Sequence, residues 1–189
     1  MKLENSFEVP ADPAAAWSLL LDMPRVIPCM PGAELTEVVD DSNWKGKMSV
    51  KLGPISLSFA TDVALVEADE AARRVRLSAK ARETRGRGSG QATIESTLSP
   101  LEQGTRIDIA TDLTLAGALA QYGRGLVEDV SKELVGRFAD CLSSQLTATP
   151  EQAEAAAAAP VKPVGGLGLG LRAVGRSIGR FFRRLFGRS

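Results

Sequence analysis

Trp44-Lys45-Gly46-Lys47-Met48-Ser49-Val50-Lys51-Leu52 alternates without a break, apolar or small residues at even positions and lysine or serine at odd ones. A period of two over nine residues predicts a β-strand with one buried and one wet face. Downstream, Gly53-Pro54 turns the chain, and Ile55, Leu57, Phe59, Val63 and Leu65 continue the pattern. After a turn at Asp69 to Ala72, the apolar or small series Val75, Leu77, Ala79, Ala81 faces away from Arg74, Arg76, Lys80 and Arg82. Gly86-Arg87-Gly88-Ser89-Gly90 is the next turn, followed by Ala92, Ile94 and Leu98, then by Ile107, Ile109, Leu113 and Leu115. Short turns between alternating runs predict an antiparallel meander with one face buried.

Upstream, Leu3 to Val9 alternates as a further strand that Pro10 ends, and Asp12-Pro13 reads as an N-cap with proline at the first helical position, opening a helix to Leu21. Asp22 to Gly32 carries three prolines and a glycine, which predicts an irregular loop or a broken helical turn. From Ala118 to Leu146 the period becomes helical, with Tyr122, Leu126, Val130, Leu134, Phe138 and Leu142 recurring at steps of four, flanked by Val127, Cys141 and Leu146. That helix has only the apolar face of the sheet to cover. The predicted fold class is α+β: a curved antiparallel sheet wrapped around one long C-terminal helix, a helix-grip shape spanning residues 1–147.

Two further segments follow. Residues 148–166 are low in complexity and rich in Ala, Pro and Gly, a linker that spans roughly 25 Å as a flexible coil. Residues 167–189 are basic. The charge is accordingly divided: Met1–Pro150 has 16 Lys+Arg against 21 Asp+Glu, and Glu151–Ser189 has 7 against 2, so a net charge of zero over 189 residues conceals two parts suited to different partners.

The sequence has no histidine, which removes the commonest general base and metal ligand. Cys29 and Cys141 stand apart with no CxxC spacing, so no metal centre is expected. Two free thiols in a reducing cytoplasm is the expected state, with a single disulfide left open. No apolar signal segment opens the chain and no stretch reaches the ~20 apolar residues of a spanning helix. Glu67 and Glu83, near strand ends, read as exposed solubilising carboxylates. The GxGxG of Gly86, Gly88 and Gly90 joins two antiparallel strands and not a strand to a helix, so it reads as a hairpin turn and not as a phosphate cradle.

A helix-grip interior is either filled by side chains or left as a cavity. The small residues Gly46, Ala79, Ala81 and Ala92 between large ones thin the filling. The candidate ligand-binding residues are Trp44, Met48, Phe59, Leu77, Ala79, Ala92, Ile94, Leu113, Tyr122 and Leu126, each also readable as plain core. Tyr122 is the only tyrosine, and its hydroxyl is suited either to a ligand carbonyl or to the surface.

Four stretches carry a family resemblance: Pro13-Ala14-Ala15-Ala16-Trp17; Asp22-Met23-Pro24-Arg25-Val26-Ile27-Pro28-Cys29-Met30-Pro31-Gly32-Ala33-Glu34; Lys51-Leu52-Gly53-Pro54-Ile55; and Gly123-Arg124-Gly125-Leu126-Val127-Glu128-Asp129-Val130-Ser131. Together they resemble the CoxG family of carbon monoxide dehydrogenase subunits, within the START-like, or SRPBCC, superfamily, over about Met1 to Leu146. The resemblance implies a non-catalytic accessory protein of a molybdenum- and copper-containing carbon monoxide dehydrogenase. It also implies a bound lipid quinone, menaquinone or ubiquinone, carried between membrane and enzyme; the alternative is an anchor that recruits the enzyme without carrying a ligand. No catalytic cofactor and no nucleic acid is expected, and the expected location is the cytoplasmic face of the cell membrane.

Wound at 3.6 residues per turn, the tail places Leu171, Val174, Ile178, Phe181, Phe182, Leu185 and Phe186 on one side and Arg172, Arg176, Arg180, Arg183, Arg184 and Arg188 on the other. A basic amphipathic helix of this kind suits an anionic membrane surface, where each arginine contributes about 1 kcal/mol. Its glycines, including Gly168, Gly170, Gly175 and Gly179, each cost up to ~1 kcal/mol of helix propensity, and the like charges repel. The tail peptide is therefore expected to become helical only on anionic vesicles and to detach as salt rises. Circular dichroism with neutral and anionic vesicles checks this; full helicity in buffer, or binding indifferent to lipid charge, overturns it.

Overall fold

The computed structural model describes residues 1–52 and 55–147. The expected turn at Gly53-Pro54, the expected linker 148–166 and the expected membrane-binding tail 167–189 lie outside the described residues. The elements are β1 (Lys2–Val9), α1 (Pro13–Leu21), α2 (Met23–Val26), β2 (Ala33–Asp40), β3 (Asn43–Leu52), β4 (Ile55–Asp69), β5 (Arg74–Glu83), β6 (Gly88–Leu101), β7 (Gly104–Gly117) and α3 (Arg124–Thr147), with 3₁₀ turns at Ile27–Cys29 and Ala118–Gln121. The strands form one antiparallel sheet in the order β1-β7-β6-β5-β4-β3-β2. This is the curved sheet and long C-terminal helix that the sequence predicts.

Local chemistry explains the element ends. Asp12 Oδ1 accepts from the backbone N–H groups of Ala14 and Ala15 at 2.9 and 3.0 Å and caps α1, with Pro13 filling a position that needs no N–H. The proline-rich stretch folds as α2 and the 3₁₀ turn after it, because prolines at first or second positions permit a helical start but not a long run. Register shifts between Leu35 and Glu37, between Val38 and Asp40, and between Leu65 and Glu67 mark bulges that bend the sheet. At Gly32, φ is +79°, and a Cβ there would run into the Ser49 carbonyl oxygen, so only glycine enters β2.

The core gathers at one end of the grip. Trp17, Leu19 and Leu20 of α1, Met23 and Val26 of α2, and Phe138 and Leu142 of α3 pack with Val9, Val75, Leu98 and Ile107 of the sheet. Phe7 of β1 meets Phe138 edge-on, with ring centroids 5.9 Å apart at 86°. On the outer face, Glu67 bridges Arg74 and Arg76, and Arg76 also reaches Glu95, each at 2.7 Å, tying β4, β5 and β6 together across their wet side.

Two expectations are corrected here. Cys29 and Cys141 are joined in a disulfide, not two free thiols. The proline-broken turns fold back onto the last third of α3 and set the two Cα atoms 5.4 Å apart, a proximity invisible across 112 residues of sequence. Glu83 is buried, at 3% exposure, and not a solubilising surface group. Its carboxylate accepts from the N–H groups of Arg85 and Arg87 at 2.8 and 3.0 Å, closing the β5–β6 hairpin. The Arg87 amide first, then the Arg85 amide and the two arginine charges, hold it below the ordinary carboxylate range, while burial pushes the other way. Glu67 is half-buried in its two ion pairs.

A disulfide closing so long a loop stabilises mainly by restricting the unfolded chain. The double variant Cys29→Ser/Cys141→Ser is expected to lose about 2–4 kcal/mol of unfolding free energy, read from the denaturant midpoint. An unchanged midpoint, with thiols titrating as free in the unreduced wild type, overturns the pairing.

Candidate ligand-binding site

Bordering this core, the grip is hollow. Beyond Phe138, α3 turns Leu134, Val135, Val130, Ser131 and Val127 towards the sheet, and the sheet answers with Gly46, Ala79, Ala81, Gly90 and Ala92. Medium side chains over glycine and alanine leave a cavity of about 450 Å³ between helix and sheet, its wall almost wholly apolar. Met23, Val26, Ile27 and Met30 close one flank from α2 and the turn after it. Because the disulfide ties that turn to α3, both parts of the roof are covalently joined.

The cross-strand register shows how the wall is built. Trp44 lies opposite Val63, Val63 opposite Ala79, Ala79 opposite Ala92, and Ala92 opposite Leu113, so one row crosses five strands. Directly paired residues share a face, which is why alternation read on single strands assembles into one surface.

Eight of the ten residues proposed from sequence line the cavity: Trp44, Met48, Phe59, Leu77, Ala79, Ala92, Ile94 and Leu113. Tyr122 and Leu126 do not. Tyr122 precedes α3, capping the 3₁₀ turn with extended backbone, and Leu126 is 40% exposed. Steps of four advance an α-helix by about 400°, so each rotates ~40° off the face. Counting back from Phe138, Leu126 has drifted about 120° away, whereas Val127 stays within ~20° of it. The inward set of Val127, Val130, Ser131, Leu134, Val135 and Phe138 recurs at i, i+3, i+4, i+7, i+8 and i+11, and that mixed spacing is the signal that identifies it. The α2 contributors Met23 and Val26 escape a sequence reading because a proline-rich stretch carries no periodicity.

A smaller groove of about 360 Å³ lies where α3 meets the β1 edge, lined by Lys2, Glu4, Asn5, Arg124, Glu128, Ser131 and Lys132 among others. Within it Arg124 pairs with Glu128 at 2.6 Å along α3, and Asn5 Nδ2 of β1 donates to Ser131 Oγ at 3.0 Å. The Asn5–Ser131 bond, with the Arg124 guanidinium donating to the Lys2 carbonyl oxygen, seats the helix on the sheet edge.

The profile of the family described as the CoxG subunit of carbon monoxide dehydrogenase matches residues 6–147. The chain belongs to this family. No curated relative matches it. Among solved structures, a conserved protein from Geobacillus kaustophilus is similar at a TM-score of 0.69 and 17% identity, over 77% of this chain and 95% of that one. A START superfamily protein from Mycobacterium smegmatis gives 0.51 at 16% identity, over 77% and 96%. The Zhui aromatase/cyclase from Streptomyces sp. R1128 gives 0.55 at 16% identity, over 77% and 93%. At such identities the likeness establishes the START-like fold of the CoxG-family domain and nothing of its ligand.

Filling the hollow tests its use. Ala92→Leu adds apolar volume to an empty space, so the domain is expected to keep or slightly raise its melting temperature while losing most binding of a neutral apolar fluorophore such as N-phenyl-1-naphthylamine. Undiminished fluorophore binding would mean that the probe occupies another place.

Proposed function

We propose that this CoxG-family protein is a non-catalytic carrier. It takes up a lipid quinone, of the menaquinone or ubiquinone kind, at the cytoplasmic face of the cell membrane and delivers it to a molybdenum-containing carbon monoxide dehydrogenase. The observation that carries this reading is the apolar cavity of about 450 Å³ under α3. It falls within the range of small-molecule sites, and a protein needing only a scaffold gains stability by filling such a space, since each buried methylene is worth about 0.8 kcal/mol. The family description supports the partner, because its members are named for a component of that dehydrogenase. The sequence of residues 167–189, with arginines and large apolar residues on opposite sides of a helical projection, supports the membrane. Among the described residues no helix is long and apolar enough to cross a bilayer, so attachment on this reading is peripheral.

A cavity of this volume has room for a ring system and the start of a prenyl chain, and on this reading a longer tail continues through its opening. Full-length protein exposed to native membranes, purified, extracted with organic solvent and analysed by mass spectrometry is expected to yield a prenyl quinone close to one per chain. A clean extract from protein that still fractionates with membranes and with the dehydrogenase would replace carriage by simple anchoring.

A further inference from the structure

The geometry points to Thr61 as the residue that fixes the ligand's polar end, and thereby to an uncharged, flat ligand presenting a carbonyl-type acceptor. This rests on the cavity being a ligand site. Two rows of bulky side chains cross its floor: Trp44 opposite Val63, and Met48 opposite Phe59. They lie four residues apart on β3, about 13 Å at the usual rise of a strand. The row between them is Gly46, Thr61, Ala81 and Gly90, each directly opposite the next. The floor therefore sinks into a trough with one hydroxyl in it.

Two facts at Gly46 set the direction of that hydroxyl. A Cβ there would lie 2.7 Å from the Glu34 carbonyl oxygen of β2, so position 46 itself carries no side chain over the trough. The same Cβ would lie 3.2 Å from Thr61 Oγ1, which places the hydroxyl over Gly46 on the cavity face. Among the described residues no protein group takes up the Thr61 hydroxyl. Of the other hydroxyls in the lining, Ser131 already accepts from Asn5, while Thr111 and Ser96 stand in rows of bulky aliphatics, Thr111 between Ile94 and Leu3 and Ser96 between Val75 and Ile109.

The surroundings decide which ligands this hydroxyl can serve. Lys45 and Lys47 border the cavity, but they belong to the outward alternation of β3 and are exposed, with Lys45 paired to Glu37 at 2.9 Å, so strand geometry directs their side chains to the wet face and not into the trough. A carboxylate or phosphate buried here would find one neutral donor and no counter-charge, which is strongly unfavourable. A ketone or quinone oxygen needs one donor, and a hydroxyl supplies it. In an apolar wall that single bond discriminates well, because a mismatched ligand leaves a polar group unpaired.

The test uses lipid-stripped full-length protein and three naphthalenes of matched shape: 2-acetylnaphthalene, 2-isopropylnaphthalene and 2-naphthoate, each titrated by displacement of N-phenyl-1-naphthylamine. Thr61→Val is expected to weaken the ketone about fivefold or more, as loss of one hydrogen bond requires, and to leave the hydrocarbon within about twofold. Thr61→Ser should restore the ketone, Thr111→Val should leave the ratio of ketone to hydrocarbon affinity as in the wild type, and naphthoate should bind at least ~10-fold more weakly than the ketone. Equal loss of ketone and hydrocarbon in Thr61→Val, an equal effect of Thr111→Val, or tight naphthoate binding overturns this assignment and leaves carriage standing. If the wild type binds neither neutral probe, the ligand-site reading itself falls.

Discussion

Helix α3 is held firmly at one end only, and the character of the domain depends on that asymmetry. Of its 24 residues, the fully buried ones are Phe138 and Leu142, both in the C-terminal half. There the helix is also bonded covalently through Cys141, and Gln145 donates to the Arg25 carbonyl oxygen at 3.1 Å while its own carbonyl accepts from Arg25 Nε at 3.3 Å. The N-terminal half spans a hollow. Its polar seats, Asn5 with Ser131 and Arg124 with the Lys2 carbonyl, lie along the β1 edge and are part-buried or exposed. Contacts of that kind are each worth a fraction of a kcal/mol to about one. The structure thus concentrates apolar packing at the pivot and leaves the span resting on weak, solvent-accessible contacts. That is the pattern of an element that opens locally without unfolding the whole.

The hollow would be costly if the sheet were soft, since an unfilled floor collapses when it can. Several features stiffen it. Bulges in β2 and β4 fix the curvature, the Arg74–Glu67–Arg76–Glu95 chain crosses three strands on the outer face, and Glu83 locks the hairpin beside the small-residue trough. The disulfide adds a restraint where the proline-broken turns meet the helix. An empty interior of this size is tolerated because rigidity comes from the outside of the sheet and from one covalent tie, not from close packing within.

Most of this architecture is legible in the sequence because period-two alternation is a local signal and the buried faces of β3, β5, β6 and β7 keep it cleanly. The row from Trp44 to Leu113 follows from alternation plus short turns, so eight of the ten proposed lining residues fall in one cavity. The misses have physical causes. Tyr122 and Leu126 mislead because steps of four look helical over short spans, yet they drift around the helix. The disulfide is hidden because nothing local marks two cysteines 112 residues apart as neighbours. Glu83 looks like any strand-end carboxylate; its partners are backbone amides two and four residues later, which composition does not reveal. Thr61 escapes notice because its importance comes from what Gly46 lacks.

On the carrier reading, the near absence of polar groups in the cavity has a thermodynamic consequence. A bilayer core is as apolar as a wall of valine and leucine, so moving a prenyl quinone from lipid into this cavity gains little from the hydrophobic effect, which acts mainly between water and oil. Extraction from the membrane must then be driven by shape and by whatever the bilayer interior cannot offer. A single hydroxyl in the trough is such a contribution, worth about 1 kcal/mol and therefore enough to bias transfer without making it irreversible. A charged or multiply hydrogen-bonded site would hold the ligand more firmly and release it poorly. A carrier working between two reservoirs does best when its affinity lies between theirs, and an oily cavity whose trough offers a single hydroxyl sits close to that balance.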